Sequence, residues 1–207
     1  MPIILDGTKG ETFPSWTTGT RPATPNTGQT GYNTSLGILE TYNGSVWLQN
    51  INTITPGTIL QVVNYQTGAL ATGTTLIPVD DTIPQNTEGN QYMSLAITPK
   101  SSTSKLRIDV VFVASCSANN SYITNALFQD TTTNALAVTT TYVTVGTAPT
   151  AVPLTYYMTS GTTSETTFKV RGGGSVAAST MTFNGSGGAR IFGGVFASSI
   201  TITEIAA

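Results

Sequence analysis

Ten acidic and eight basic side chains make up the charged repertoire of this 207-residue chain, and it contains no histidine. The lack of imidazole removes the commonest general base and the commonest metal ligand. Acidic residues gather at one place only, Asp80 and Asp81 with Glu88 nearby. Carboxylate oxygens are the ligands a hard cation takes. Neighbouring strand residues point to opposite faces, so the two aspartates converge only on a loop, which Pro78 and Pro84 imply. Their irregular spacing favours a solvated loop over a metal site, and no metal ligand is assigned. A glycosidase needs just two carboxylates, but the remaining acids are scattered and no nucleophile motif occurs. The sequence therefore predicts neither an enzyme nor a bound cofactor.

Two glycine clusters have the look of phosphate cradles, Arg171-Gly172-Gly173-Gly174 and Asn184-Gly185-Ser186-Gly187-Gly188. Neither precedes Lys-Ser/Thr and neither opens a helix, as a phosphate loop requires. They read instead as flexible inter-strand loops, positions where a sugar is naturally met. Glu204 alternates with Ile200 and Ile202 on what should be an apolar face. A carboxylate there wants a partner, with Arg107 or Arg190 as candidates across a subunit boundary. The alternative, a strand end already in solvent, weighs equally. Aromatic rings can form a platform on which a sugar stacks: Trp16 and Trp47 lie in the N-terminal part and read as packing anchors, while Tyr122, Tyr142, Tyr156 and Tyr157 lie in the head, where core packing is still the commoner use of any one of them. Cys116 has no internal disulfide partner and closes an apolar face, as a small buried hydrophobe does.

Only 9% of the residues are charged, against about 25% in an average globular chain. With a net charge of −2 and one small basic group (Lys100, Lys105, Arg107), nucleic acid is not an expected partner. The start, MPIILDGTKG, turns acidic and polar after a few apolar residues and does not resemble a secretory signal. No apolar run reaches the roughly 18 residues that would span a membrane. Abundant Thr, Ser, Asn and Gly give a neutral polar surface of the kind found on extracellular and virion β-proteins.

These residues must be positioned by strands, since helical periodicity is almost absent. Lys105–Cys116 gives the clearest pattern: Leu106, Ile108, Val110, Phe112, Ala114 and Cys116 share one face. The other face begins charged and turns apolar, so its far end is expected to be covered. Further strands are expected at 59–66, 76–79, 91–98, 122–129, 135–145, 152–158, 166–171, 180–184, 191–196 and 199–205. Short strands separated by Gly, Asn, Ser and Thr turns predict an all-β fold, a jelly-roll-like antiparallel β-sandwich. Paired apolar residues such as Val110 with Val111, Tyr156 with Tyr157 and Phe192 with Val195 put apolar side chains on both faces. That surplus predicts burial against further copies of the chain. The expected organisation is a turn-rich N-terminal segment over 1–53 with short hairpins, a linker over 54–58 and the sandwich over 59–207.

Within the first segment, GTRPATPNTGQTGYNTSLGILETYNGSVW runs from Gly19 to Trp47. Ile38–Tyr42 reads as a strand, Asn43-Gly44 as a tight hairpin turn and Val46-Trp47-Leu48 as the return. So small a piece buries little surface alone. Arg21, Pro22, Pro25, Gly28, Tyr32, Asn33, Thr34, Tyr42, Asn43, Gly44 and Trp47 spell RP-x-x-P-x-x-G, YNT and YNG-x-x-W. This pattern resembles a repeat near the N-termini of tailed-phage fibre and virion proteins. The stretch Ser94–Val110 and the ending SSITITEIAA resemble the terminal β-sandwich domains of phage fibres. The resemblance implies a homotrimeric virion appendage, made in the bacterial cytoplasm and released by lysis. Its N-terminal part would dock to other virion proteins through Arg21, Pro22, Pro25, Tyr32, Asn33, Tyr42, Asn43 and Trp47. Its head would face the host surface, with a surface polysaccharide as a further partner. One repeat and no shaft suit a short appendage, on the tail or as a capsid decoration. A stand-alone carbohydrate-binding module and a depolymerase are the alternatives from other classes.

Overall fold

The computed structural model describes residues 4–6, 10–49 and 55–207. The chain divides into two compact units, Met1–Ile54 and Thr55–Ala207. Of the stretch 54–58, Ile54 lies outside the described residues. Thr55–Thr58 form a turn, with Thr58 N–H donating to the Thr55 carbonyl. Gly57 N–H donates to the Ala206 carbonyl and Ala206 N–H to that of Thr58, so these residues continue the second unit's strand pairing.

The first unit has a hairpin of β1 (Ile4–Asp6) and β2 (Gly10–Thr12) and a second, four-stranded sheet. The latter runs β3 (Ser15–Trp16), β4 (Thr30–Asn33), β5 (Ile38–Tyr42) and β6 (Trp47–Gln49), with β3 parallel to β4 and the rest antiparallel. The β5–β6 loop differs from a two-residue Asn-Gly turn. Tyr42 pairs with Trp47, which leaves Asn43–Val46 in the loop. The Asn43 side chain closes it: Oδ1 accepts the N–H groups of Ser45 and Val46, and Gly44 takes φ 99°. An asparagine bonding the backbone two residues on offers this wider closure in place of the tight turn.

The second unit is an antiparallel β-sandwich. Eight strands have seven or more residues: β7 (Ile59–Thr67), β9 (Asn90–Ile97), β10 (Lys105–Cys116), β11 (Ser121–Gln129), β12 (Ala137–Val143), β13 (Thr150–Thr159), β14 (Thr166–Gly174) and β18 (Ser198–Ile205). One sheet orders them β7-β18-β10-β13, the other β12-β11-β14-β9. The first long strand thus lies beside the last and the two sheets interleave in sequence, the jelly-roll arrangement. Short β8 (Ala71–Gly73) and β15 (Met181–Phe183) extend the first sheet past the end of β18, and β16 (Gly185–Ser186) pairs with β17 (Ala189–Arg190).

Alternation along β10 is as its sequence predicts, with Leu106, Ile108, Val110, Phe112, Ala114 and Cys116 all buried. They pack against Met93, Ile97, Ile123, Leu127, Phe168 and Val170 of the facing sheet. On the other side of β10, Arg107 and Val111 are exposed while Val113 and Ser115 are covered. Strand β11 is buried on both faces, because Ala126 and Phe128 lie under Ile77 and Ala135 in a second apolar cluster.

Three segments depart from expectation, the first two for related reasons. Residues 76–79 form no strand; they cross over the outside of the second sheet, where Ile77 seals Phe128. Arg171–Gly174 is no loop but the end of β14, and its glycines are buried. A Cβ on Gly172 would come within 2.4 Å of the Phe112 ring, and one on Gly173 within 2.6 Å of the Ile77 amide nitrogen. Glycine here admits close approach on both faces of a strand rather than a turn. Residues 191–196 form a 3₁₀ turn over Phe192–Gly194 in place of a strand.

Candidate functional site

Two of the residues singled out in the first unit, Arg21 and Asn33, meet at a buried carboxylate. Glu40 stands in the middle of β5, opposite Gly31 of β4 and Gln49 of β6. It is fully buried. Arg21 reaches it with both prongs of the guanidinium, Nε to Oε2 at 2.9 Å and Nη2 to Oε1. Asn33 Nδ2 donates to Oε1 at 3.0 Å and Trp16 Nε1 to Oε2 at 3.2 Å. The Arg21 hydrogen bonds, opposed by burial and helped by Trp16 and Asn33, hold the Glu40 carboxyl down at about 2. Every polar partner of the buried charge is in place, which is the condition for keeping an ion pair inside so small a unit.

Asn33 ties this carboxylate to the chain on either side. Its Oδ1 accepts the N–H groups of Ser35 and Leu36, and its Nδ2 also reaches Thr18. The Trp16 indole lies on Gly31, where a Cβ would come within 2.1 Å of the ring. Trp47 meets Trp16 edge-on at 4.8 Å between centroids, and Tyr42 lies 5.5 Å from Trp47. Of the eight sequence-derived attachment residues, Arg21, Asn33, Tyr42, Asn43 and Trp47 therefore serve this internal framework. Pro22 and Pro25 are half-buried, and Tyr32 is exposed. Tyr32 faces the opposite side of the sheet from Gly31 and Asn33, along with Leu39 and Leu48. The centre of the framework, Glu40, was missed by sequence reasoning. Its signal was a lone acid in alternation with Ile38 and Tyr42, downstream of an arginine in the same short unit.

In the sandwich, Glu204 is also fully buried, but its partners are not arginines. Its carboxylate accepts Gln61 Nε2 (2.5 Å), Ser104 Oγ (2.6 Å), the Lys100 N–H (2.8 Å) and the Ser101 N–H (3.1 Å). Burial pushes this carboxyl up, and the bonds from Ser104, Lys100, Gln61 and Ser101 outweigh it and hold it below its ordinary value. The register explains why Arg107 stays away. Glu204 pairs with Leu106 and shares its inward face, while Arg107 pairs with Thr203 and points outward. Arg107 bonds Asp109 instead at 2.8 Å, and Arg190 is exposed on β17. Glu204 thus locks the 99–104 turn onto the end of β18 from inside one chain.

The other sequence candidates take structural places. Asp80 caps its own turn, accepting the N–H and hydroxyl of Thr82 at Oδ1, and Glu88 accepts the Gln85 N–H. Among the described residues no group of three acidic or sulfur ligands converges. Arg171 donates to the carbonyls of Glu88 and Gly89 at 2.7 Å each, closing the turn before β9. Asn184 is buried and bonds the carbonyls of Thr67 and Ala69. Tyr156 is half-buried at the sandwich core, while Tyr157, Tyr122 and Tyr142 are exposed. Among the described residues no helix is long and apolar enough to cross a membrane.

No family model matches the chain, and no curated protein matches it. Among solved structures, the Eiger TNF of S. frugiperda is 10% identical over 70% of this chain and 93% of its own, with a TM-score of 0.39. VP2 in a subviral particle of infectious bursal disease virus is 12% identical over 89% of this chain and 52% of its own, at 0.34. The enzymatically active domain of bacteriophage CBA120 tailspike protein 4 is 16% identical over 62% of this chain and 19% of its own, at 0.26. The chain spans about half of the VP2 chain and a fifth of the tailspike chain. None of these likenesses reaches the level from which a shared function follows.

Proposed function

We propose that this chain is a virion structural protein of a tailed phage, a short homotrimeric appendage. In this reading the first unit attaches to other virion proteins and the sandwich faces the host surface. One observation carries the reading. The N-terminal stretch that resembles phage attachment repeats lies in a folded unit with its own buried centre, where Arg21 and Asn33 of the resembling residues hold Glu40 together with Trp16. An adaptor has to keep its shape while its sandwich engages something else, and a framework of this kind supplies that. The outer face of the small sheet, with Tyr32 and Leu48 exposed, is the surface assigned to docking. Support for self-association comes from the apolar side chains left outside the sandwich, among them Val111, Tyr157 and Val62, on the outer face of the first sheet. Burial of these side chains against further copies of the chain would remove apolar surface from water.

Cryo-electron microscopy of the particle, with and without this chain, tests the reading. Trimeric density at the tail is expected. Density on the capsid instead would make the chain a capsid decoration, and absence from the particle would overturn the assignment. Light scattering of the purified chain is expected to give three copies; a stable monomer would remove the trimer.

A further inference from the structure

The outer face of the second sheet carries a groove that none of the structural roles above uses. Register places Tyr122 opposite Tyr142, Thr124 opposite Thr140 and Ala126 opposite Val138, all on the side away from Ile123 and Leu127 in the core. The segment 77–80 crosses this face and walls a groove of about 410 Å³, floored by Thr124, Val138 and Thr140. That volume lies within the usual span of small-ligand clefts, roughly 300–1,000 Å³. The tyrosine pair follows on the same two strands, two residues along each from the threonines. The rings meet edge-on at 5.1 Å, and Tyr122 and Tyr142 remain 36% and 50% exposed. Tyr142 is steadied by its hydroxyl, which donates to Asn120 Oδ1 at 3.2 Å.

We infer that this groove binds a neutral pyranose unit of a surface polysaccharide, seated against the Tyr122–Tyr142 pair. The inference rests on the reading that the sandwich faces the host. The rings stand 62° apart, so a pyranose lays its C–H face on one of them while the other holds that ring in place; tyrosine joins an apolar body to a polar tip. Thr140 is exposed; its hydroxyl bonds that of the buried Thr124 at 2.8 Å and donates to the Ile123 carbonyl at 3.2 Å, which leaves a lone pair to accept from a sugar hydroxyl. Asp80 lines the wall; its Oδ1 is taken by Thr82, and among the described residues Oδ2 accepts no bond. Asp80 is exposed, and a carboxylate on the wall accepts from a sugar hydroxyl and repels an anion. No Lys or Arg lines the groove, so sugars bearing carboxylate, sulfate or phosphate lack a counter-charge there. Neutral sugars are what remains.

The test uses the full chain on a panel of neutral gluco-, galacto- and manno-oligosaccharides alongside oligogalacturonate. Binding of at least one neutral member is expected, with oligogalacturonate ignored. Tyr122→Ala and Tyr142→Ala each weaken that binding by about tenfold, the scale of one lost aromatic contact. Asp80→Asn weakens it less, and Tyr157→Ala on the other sheet leaves it unchanged. Circular dichroism and protection of Cys116 from thiol reagents confirm that each variant is folded. Binding indifferent to both tyrosine changes, preference for the anionic oligosaccharide, or no binding at all overturns the site. Tyrosine-dependent binding by a chain absent from virions would leave the site standing and remove the virion reading. Cell adhesion retained by both tyrosine variants would do the reverse.

Discussion

Replacing Glu40 with glutamine is the perturbation that bears most directly on the first unit. The carboxyl is held at about 2 against an ordinary 4.5. Each pKa unit corresponds to about 1.4 kcal/mol, which sets a ceiling of roughly 3 kcal/mol on what the charge contributes at neutral pH. Arg21 keeps 26% of its side chain in solvent, and screening there lowers the figure toward about 2 kcal/mol. Counting the bonds gives a similar value, since a hydrogen bond to a charged group contributes about 1.5–3 kcal/mol and glutamine still accepts from Trp16 or Asn33. A unit of this length has only about 3–8 kcal/mol in all, so Glu40→Gln removes a large part. For a small domain the melting midpoint drops by on the order of 10 °C. The assay is unusually clean, because both tryptophans of the chain, Trp16 and Trp47, belong to this unit. Their fluorescence follows its unfolding without signal from the sandwich. The sign of the pH effect follows from the lowered folded value. The stabilisation is complete above the unfolded value of about 4.5 and is lost as pH falls toward about 2. The wild-type midpoint should therefore decline across that window more steeply than that of Glu40→Gln. Equal midpoints at neutral pH, or equal acid slopes, would refute the account of the buried carboxylate.

Other perturbations separate packing from charge. Gly31→Ala pushes the Trp16 indole off β4, and the expected result is red-shifted tryptophan emission with a lower midpoint; unchanged emission would mean the ring has room elsewhere. Gly173→Ala places a methyl group against the Ile77 backbone and should cost the sandwich about 1–3 kcal/mol by overpacking, measured by denaturant unfolding. Glu204→Ala leaves the Lys100 and Ser101 N–H groups without their acceptor; protection of these amides from hydrogen exchange should fall well before that of β10. Cys116, fully buried, should resist thiol reagents in the native protein and react at the rate of sandwich unfolding; rapid native reaction would contradict its place in the core.

The sandwich was legible where one rule governed a strand. In β10, alternation alone placed the core face, because both neighbouring strands and the opposite sheet demand the same side. It was illegible where a residue type serves two purposes. Gly172 and Gly173 look like turn residues in sequence, and only the approach of Phe112 from one side and Ile77 from the other shows why a strand needs them. Residues 76–79 have the composition of a strand and bury Ile77 as one would, yet they cross above a sheet rather than join it. Asn43-Gly44 marks a turn correctly but not its width, which the Asn43 side chain sets. The partners of Glu204 are backbone amides, and backbone groups leave no trace in side-chain spacing. Arg21, Asn33, Tyr42 and Trp47 were picked out by motif; that four of them gather around one carboxylate and one indole depends on sheet pairing that spans the whole unit.

The position of β18 also bears on how the sandwich is made. It is the last of the eight long strands in sequence, yet it lies between β7 and β10 rather than at an edge. Its register joins Gln61 to Glu204, residues separated by 143 positions. During synthesis, β7 has no neighbour in its sheet until Ser198–Ile205 has left the ribosome. Until then it is an open edge, a template for pairing with another nascent chain. Closure waits for contacts of the longest range, which places this fold among the slow ones. A polysome making many copies side by side therefore holds unfinished sandwiches in proximity, and the interval before β18 inserts is when strand exchange between copies competes with correct folding.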